Sequence, residues 1–243
     1  MDRPREPQFH SILYRPTLNT SALQAVIFDM DGVVIDSEPL HEKAQRTVFT
    51  RYGLAVPEDV LPSFKGMVET DVFARIVREF AAAPMDPALL VEAKNAAYRA
   101  LIAEVELVPG FLSFLHGVRE CYAVALTTSS IRADQARAFT KFDLDAYFDV
   151  VVTAEDITRP KPDPEPYVVT ASRLGLTPGT CLVVEDSING VRAAAGAGCV
   201  VAGLTTSFDA PDLLAAGAHV AVRSFAELAE RISLPTTPGS EGD

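Results

Sequence analysis

Ala25-Val26-Ile27-Phe28-Asp29-Met30-Asp31-Gly32-Val33 is a short apolar run that ends in two carboxylates and a glycine. An apolar run bounded by a turn signal reads as a buried strand. In open α/β sheets the carboxyl end of such a strand is where ligands bind. Alternate residues of an extended chain point the same way, so Asp29 and Asp31 can face one site, and Gly32 lets the backbone turn away without a clashing Cβ. Two carboxylates held close need a cation between them, or one must take a proton. The pair is therefore suited to metal-assisted nucleophilic and acid/base chemistry. A D-x-D-G tetrad is also ordinary turn chemistry, and the rest of the chain has to decide between the two.

Working outward from this strand, Asp36 or Ser37 can cap a helix with Pro39 in its first turn. Leu40, Ala44, Val48 and Tyr52 recur at helical spacing before Gly53 supplies the stop. Helical patterns continue through Thr70–Phe80 and Pro87–Glu104 without a convincing strand. From Pro109 onward, helical stretches alternate with the apolar runs Tyr122–Leu126, Phe148–Val152, Cys181–Val184, Cys199–Leu204 and His219–Val222. That alternation predicts an α/β fold: a Rossmann-like, three-layer core around a parallel sheet, with an all-helical cap inserted after the first strand. The boundaries read as a flexible extension at 1–20, the core at 21–37 and 108–234, the cap at 38–107 and a flexible tail at 235–243.

The 243 residues are enough for a proper core, and 48% are hydrophobic. A formal charge of −12 argues against nucleic acid or an anionic membrane as partner. An anionic substrate would have to be held by a local device: a metal, a lysine or a nest of backbone amides. Cys121, Cys181 and Cys199 have neither disulfide-framework nor zinc spacing and sit in apolar runs, so they read as buried free thiols. No stretch has the apolar length of a membrane span and the first 20 residues contain no signal-peptide core, which predicts a cytoplasmic protein.

The other strand ends add further polar groups. Tyr122–Leu126 leads into Thr127-Thr128-Ser129-Ser130, and Cys181–Val184 into Glu185-Asp186-Ser187-Ile188-Asn189-Gly190. After Phe148–Val152 comes Arg159-Pro160-Lys161-Pro162-Asp163-Pro164, a lysine fixed among prolines. Singly, each has a structural explanation as a helix cap or a solvated side chain. Together they place Asp, Thr, Lys and Asp where all can converge on one mouth of the sheet.

The set D-x-D-G-V-V-x-D-S-E-P-L-H at Asp29–His41, T-S at Thr128–Ser129, K-P-D-P at Lys161–Pro164 and V-V-E-D-S-x-N-G at Val183–Gly190 resembles the haloacid dehalogenase superfamily. More narrowly, it is similar to the helical-cap subgroup of small-molecule phosphatases and β-phosphoglucomutases. The resemblance implies Asp29 as nucleophile, forming an aspartyl phosphate, and Asp31 as general acid/base. It implies that Thr128, with Thr127 as the adjacent alternative, and the following amide at Ser129 bind phosphoryl oxygens, and that Lys161 offsets the crowded charge. Mg²⁺ would be held by the Asp29 carboxylate, the Asp31 carbonyl and Asp186, with Glu185 supporting that shell. His41, Lys65 and Asn189 are expected to face substrate, whereas Lys94 in a cap helix reads as a solvated face.

The implied activity is hydrolysis of a small phosphorylated metabolite by a monomer or weak dimer. One departure separates the phosphatase from the mutase reading. The mutases carry an arginine in the cap loop that grips a second phosphate, and Gly66-Met67-Val68-Glu69 places an acid there instead. A carboxylate cannot replace a bidentate guanidinium, so hydrolysis of a singly phosphorylated substrate is favoured. A dehalogenase would lack Asp31. A phosphonate hydrolase would need a Schiff-base lysine, for which Lys43, Lys65 and Lys94 are available, and a binding protein without turnover would have lost one of the charged groups.

Overall fold

The computed structural model describes Leu18 and residues 21–64, 67 and 69–232. The expected terminal extension and tail lie outside these residues, apart from Leu18, which is packed into the core. Lys65, Gly66 and Val68 also lie outside them.

The first strand, β1 (Ala25–Phe28), is buried along its whole length. It pairs in parallel with β4 (Ala123–Thr127) on one side and β6 (Cys181–Glu185) on the other. With β5 (Val150–Val152), β7 (Val200–Leu204) and β8 (Val220–Val222) the sheet has six strands in the order β5-β4-β1-β6-β7-β8. The chain fills one side of β1 first and then crosses to the other. Such a reversal opens a crevice at the carboxyl ends of the strands beside β1.

The strands read as nearly continuous apolar runs because both faces of the sheet are covered. Val26, Phe28, Leu126 and Val184 belong to one packed cluster, and Ala25, Ile27, Ala125 and Val183 to the cluster on the opposite face. On the first face Phe28 meets Phe111, Phe114 and Phe148 edge-on, with ring centroids 5.4, 6.0 and 6.3 Å away. Edge-to-face rings of this kind add to what area burial alone supplies.

Three helices follow β1: α1 (Glu38–Tyr52), α2 (Glu69–Phe80) and α3 (Pro87–Leu101). Gly53 ends α1 in the left-handed conformation at φ 63°, a backbone state that disfavours residues with a Cβ. Val48, Phe73, Ile76 and Leu90 form a cluster separate from the sheet's two clusters. The helical block therefore has a core of its own. Its junction with the sheet is a short antiparallel ribbon, β2 (Ile35–Asp36) paired with β3 (Glu106–Leu107), which the sequence pattern did not announce. Two-residue strands are too short to show a period.

Past the ribbon, α4 (Phe111–Arg119), α5 (Arg132–Phe142), α6 (Glu165–Arg173), α7 (Ile188–Ala197), α8 (Ala210–Ala216) and α9 (Phe225–Arg231) complete the layers. All three cysteines are free, but only Cys181 and Cys199 are buried. Cys121 is exposed, against expectation, because it occupies the turn between α4 and β4 and not the strand itself. None of the described helices is long and apolar enough to cross a membrane.

Candidate functional site

The strand ends beside β1 deliver their polar residues to one place. Asp29 extends β1, its amide donating to the Val184 carbonyl at 3.0 Å. The chain then turns sharply: the amides of Val34 and Ile35 both donate to the Met30 carbonyl, and Gly32 adopts φ 75°. A Cβ on Gly32 would lie 1.9 Å from Asp186 Oδ2, so glycine is demanded here by space as well as by conformation. Gly190 serves Glu185 in the same way, since a Cβ there would lie 1.7 Å from Glu185 Oε1.

Lys161 reaches in from its proline-bounded loop and joins the strand ends. Its ammonium donates to Asp29 Oδ1 at 2.6 Å, to Glu185 Oε1 at 2.7 Å and to the Thr127 carbonyl at 3.1 Å. Glu185 is fully buried and its oxygens are already engaged. Oε1 also accepts from the Tyr167 hydroxyl at 2.7 Å, and Oε2 accepts from the amides of Asp186 and Ser187 and from the Ser187 hydroxyl. Asp186 receives the Ser207 hydroxyl on Oδ2, and Thr206 ties the same loop to the Gly32 carbonyl at 2.6 Å.

Electrostatics show a deficit of positive charge. Asp29, Glu185 and Asp186 each offer an oxygen within 4.8 Å of the others, with Lys161 as the ammonium among them. Burial raises the Asp29 pKa to about 7, the Glu185 and Asp31 charges acting in the same direction against Lys161. Asp186 is pushed well above the usual carboxylate range by burial and by Glu185 and Asp29. Glu185 is held low: burial opposes its ionisation, but Lys161, Tyr167 and the Ser187 amide outweigh it. Lys161 is raised, because Asp29 and Glu185 more than offset its own burial. One more cation would let all three carboxylates ionise. A hard, oxygen-seeking divalent ion such as Mg²⁺ fits this donor set.

Asp31 faces the same cavity from the turn. Its Oδ2 accepts from the Ser130 hydroxyl at 2.9 Å, and the Tyr98 hydroxyl of α3 approaches Oδ1 at 3.4 Å. Thr127 and Thr128 divide into different surroundings. The Thr127 hydroxyl is bonded to that of Thr170 at 2.6 Å within the core, while Thr128 Oγ1 accepts the Ser130 amide at 3.0 Å.

The cavity measures about 720 Å³, and Asp29, Asp31, His41, Ser129, Lys161 and Asp186 contribute to its lining. Lys94 lines it too and is not a solvated helix residue. It donates to His41 Nδ1 at 2.9 Å and pairs with Glu69 at 2.6 Å, and those partners compensate its burial. His41 stacks on Tyr98 with ring centroids 4.2 Å apart. Its pKa is lowered by burial and by Lys94. Asn189 is exposed and lies outside the cavity lining, so the structure does not bring it to the group. Lys65 lies outside the described residues.

Sequence reasoning missed Tyr98, Tyr167 and Ser207. Tyr98 had a visible signal, spaced four residues from Lys94 on one helix face. Tyr167 and Ser207 carried none, since they reach the site only through the packing of α6 and of the loop after β7.

A parallel sheet with acidic, hydroxylic and basic groups gathered at its topological reversal defines a Rossmann-like enzyme core, and comparison with known proteins places it. Residues 26–204 match the family model described as haloacid dehalogenase-like hydrolase, and the chain belongs to that family. It is 34% identical over 208 residues to validoxylamine A 7'-phosphate phosphatase of Streptomyces hygroscopicus subsp. limoneus, covering 84% of this chain and 95% of that one. It is also 34% identical to a phosphorylated carbohydrates phosphatase of Thermotoga maritima, covering 83% and 94%. The crystal structure of CbbY from Rhodobacter sphaeroides in complex with phosphate superposes with a TM-score of 0.69 at 27% identity, covering 87% of this chain and all of that one.

Proposed function

We propose that this protein is a Mg²⁺-dependent phosphatase that hydrolyses a small phosphorylated sugar, polyol or hydroxy acid through a phosphoryl group carried on Asp29. The observation that carries the reading is the joining of Asp29, Lys161, Glu185 and Asp186 at one end of the sheet, open to a cavity of about 720 Å³. The phosphatase activity of two relatives, each matched over most of its length, supports it.

Lys161 occupies Asp29 Oδ1 and helps keep the carboxylate ionised beside an incoming anion. Asp29 attacks phosphorus: a bond forms from its carboxylate oxygen as the bond to the alcohol oxygen breaks. Asp31 gives its proton to the departing oxygen, and the Ser130 and Tyr98 hydroxyls hold it in place for that task. In the second displacement Asp31 takes a proton from water as that water attacks phosphorus, releasing inorganic phosphate and restoring Asp29. Dividing one hydrolysis into two displacements is the gain from covalent catalysis. Thr128 and the Ser129 amide bind the transferring oxygens, Thr127 being committed to Thr170.

Asp29, Asp186 and the Asp31 carbonyl would hold Mg²⁺, whereas Glu185, its oxygens already taken, supports them from behind. When bound, the ion would neutralise charge on the phosphoryl oxygens. The helical block at 38–107 acts as a cap that excludes water and presents His41 and Lys94 to the leaving alcohol. The test is phosphate release from a panel of sugar phosphates with and without Mg²⁺, alongside Asp29→Asn. Metal-dependent release that the variant abolishes is expected. Conversion of β-glucose 1-phosphate to glucose 6-phosphate with a bisphosphate activator, faster than phosphate appears, would replace this reading with a mutase.

A further inference from the structure

The cap side of the cavity has a charge pattern that bears on the leaving group. Glu38, Glu42, Glu58 and Glu69 line it together with Arg46 and Lys94. Both cations are already engaged. The Arg46 guanidinium donates to Glu42 at 2.9 and 2.7 Å and to both oxygens of Glu58, Oε2 at 2.6 Å. Lys94 holds Glu69 at 2.6 Å and His41 at 2.9 Å. His41 adds no positive charge, since burial and the Lys94 ammonium both disfavour its protonated form. Among the described residues, this wall therefore carries more carboxylates than cations, and neither cation is without an acidic partner.

Resting on the phosphatase reading, we infer that the leaving alcohol bears no anionic group: it is a polyhydroxylated or amine-bearing alcohol that meets the Glu69–Lys94 pair, with an ammonium preferred to a neutral group. A hydroxyl can donate to Glu69 and accept from Lys94 at once, so the ion pair suits a polyol without being broken. An ammonium gains from the excess carboxylates. A carboxylate or second phosphate would have to pull Lys94 or Arg46 from its partner and leave a glutamate facing it, which is how a site rejects the wrong ligand.

The experiment compares glucosamine 6-phosphate, glucose 6-phosphate and 6-phosphogluconate, which vary the charge of the leaving group on a similar six-carbon frame, using the full chain with Mg²⁺. The kcat/KM is expected to follow that order, with the neutral sugar exceeding the carboxylate by about tenfold or more. Added KCl should narrow the spread, because Glu69 and the surface carboxylates Glu42 and Glu58 reach solvent and are screened. Glu69→Gln frees Lys94 and should shrink the neutral-to-carboxylate ratio several-fold. Equal kcat/KM for all three, preference for 6-phosphogluconate or a ratio unmoved in Glu69→Gln would overturn the inference. So would turnover of p-nitrophenyl phosphate with none of the three hydrolysed. The salt series on the unaltered protein stands even if the variant does not fold. Failure to release phosphate from any compound, p-nitrophenyl phosphate included, sinks the phosphatase reading instead.

Discussion

The sheet end and the cap wall are both rich in carboxylates, but they use them differently. At the sheet end the charges are buried, each held by several partners, and too few cations are present to balance them. On the cap wall, Arg46, Glu42 and Glu58 pair with one another at the surface, the arginine side chain 44% exposed. Removing one partner of an ion pair costs far more where water is excluded than where it is not, because the other charge is left buried and unpaired. On the proposed reading the core cluster serves chemistry as well as folding, while the surface pairs of Arg46 can be altered at little cost to stability.

The largest expected effect comes from Asp29→Asn, which should lower phosphate release by about 10³-fold or more while circular dichroism shows the fold retained. Lys161→Met should be the most destabilising change at either region. It leaves Asp29 and Glu185 buried without their ammonium, at a cost of about 3–5 kcal/mol in denaturant unfolding. A variant as stable as the parent would show that the core cluster is no more demanding than the cap pairs.

The pH dependence separates the regions again. Asp29 titrates near 7 in the folded protein against 3.8 as its ordinary value, so the folded state binds more protons between these limits. Metal-free stability attributable to this group therefore falls as pH rises from about 4 through about 7 and is level above that. Mg²⁺ must displace the same proton, so its affinity, read by calorimetric titration, should weaken progressively as pH falls below about 7. Affinity constant from pH 5 to 8 would contradict the arrangement.

Ser207→Ala removes the hydroxyl that fixes Asp186 Oδ2, and should weaken Mg²⁺ binding by about tenfold, with Ser207→Thr restoring much of it. The smallest effect is expected on the cap. Arg46→Ala should change unfolding free energy by less than about 1 kcal/mol, since its partners remain solvated.

Much of the site could be read without coordinates because parallel sheets impose a rule. Asp29, Thr128 and Asp186 each follow an apolar strand, and neighbouring parallel strands end on the same side. Lys161 was legible from the prolines around it. What stayed hidden depends on contact across long stretches of chain. Lys94 looks like any lysine on a helix until α1 and α2 bring His41 and Glu69 against it. Asn189 follows Asp186 closely in sequence, but the helical turn of α7 carries it away from the cavity. Cys121 shared the composition of a strand and fell in the turn before it.

Apolar periodicity and the order of polar residues after each apolar run were enough to determine a parallel α/β core, an inserted helical block and the gathering of acidic, hydroxylic and basic residues at one end of the sheet. Those features are local, or follow from the handedness and spacing of strands. Tertiary structure alone decided that Tyr98, Tyr167 and Ser207 support the charged groups, and that the cap wall keeps its cations paired. These outcomes depend on which distant side chains come within hydrogen-bond reach, and the spacing of residues along one chain does not encode that distance.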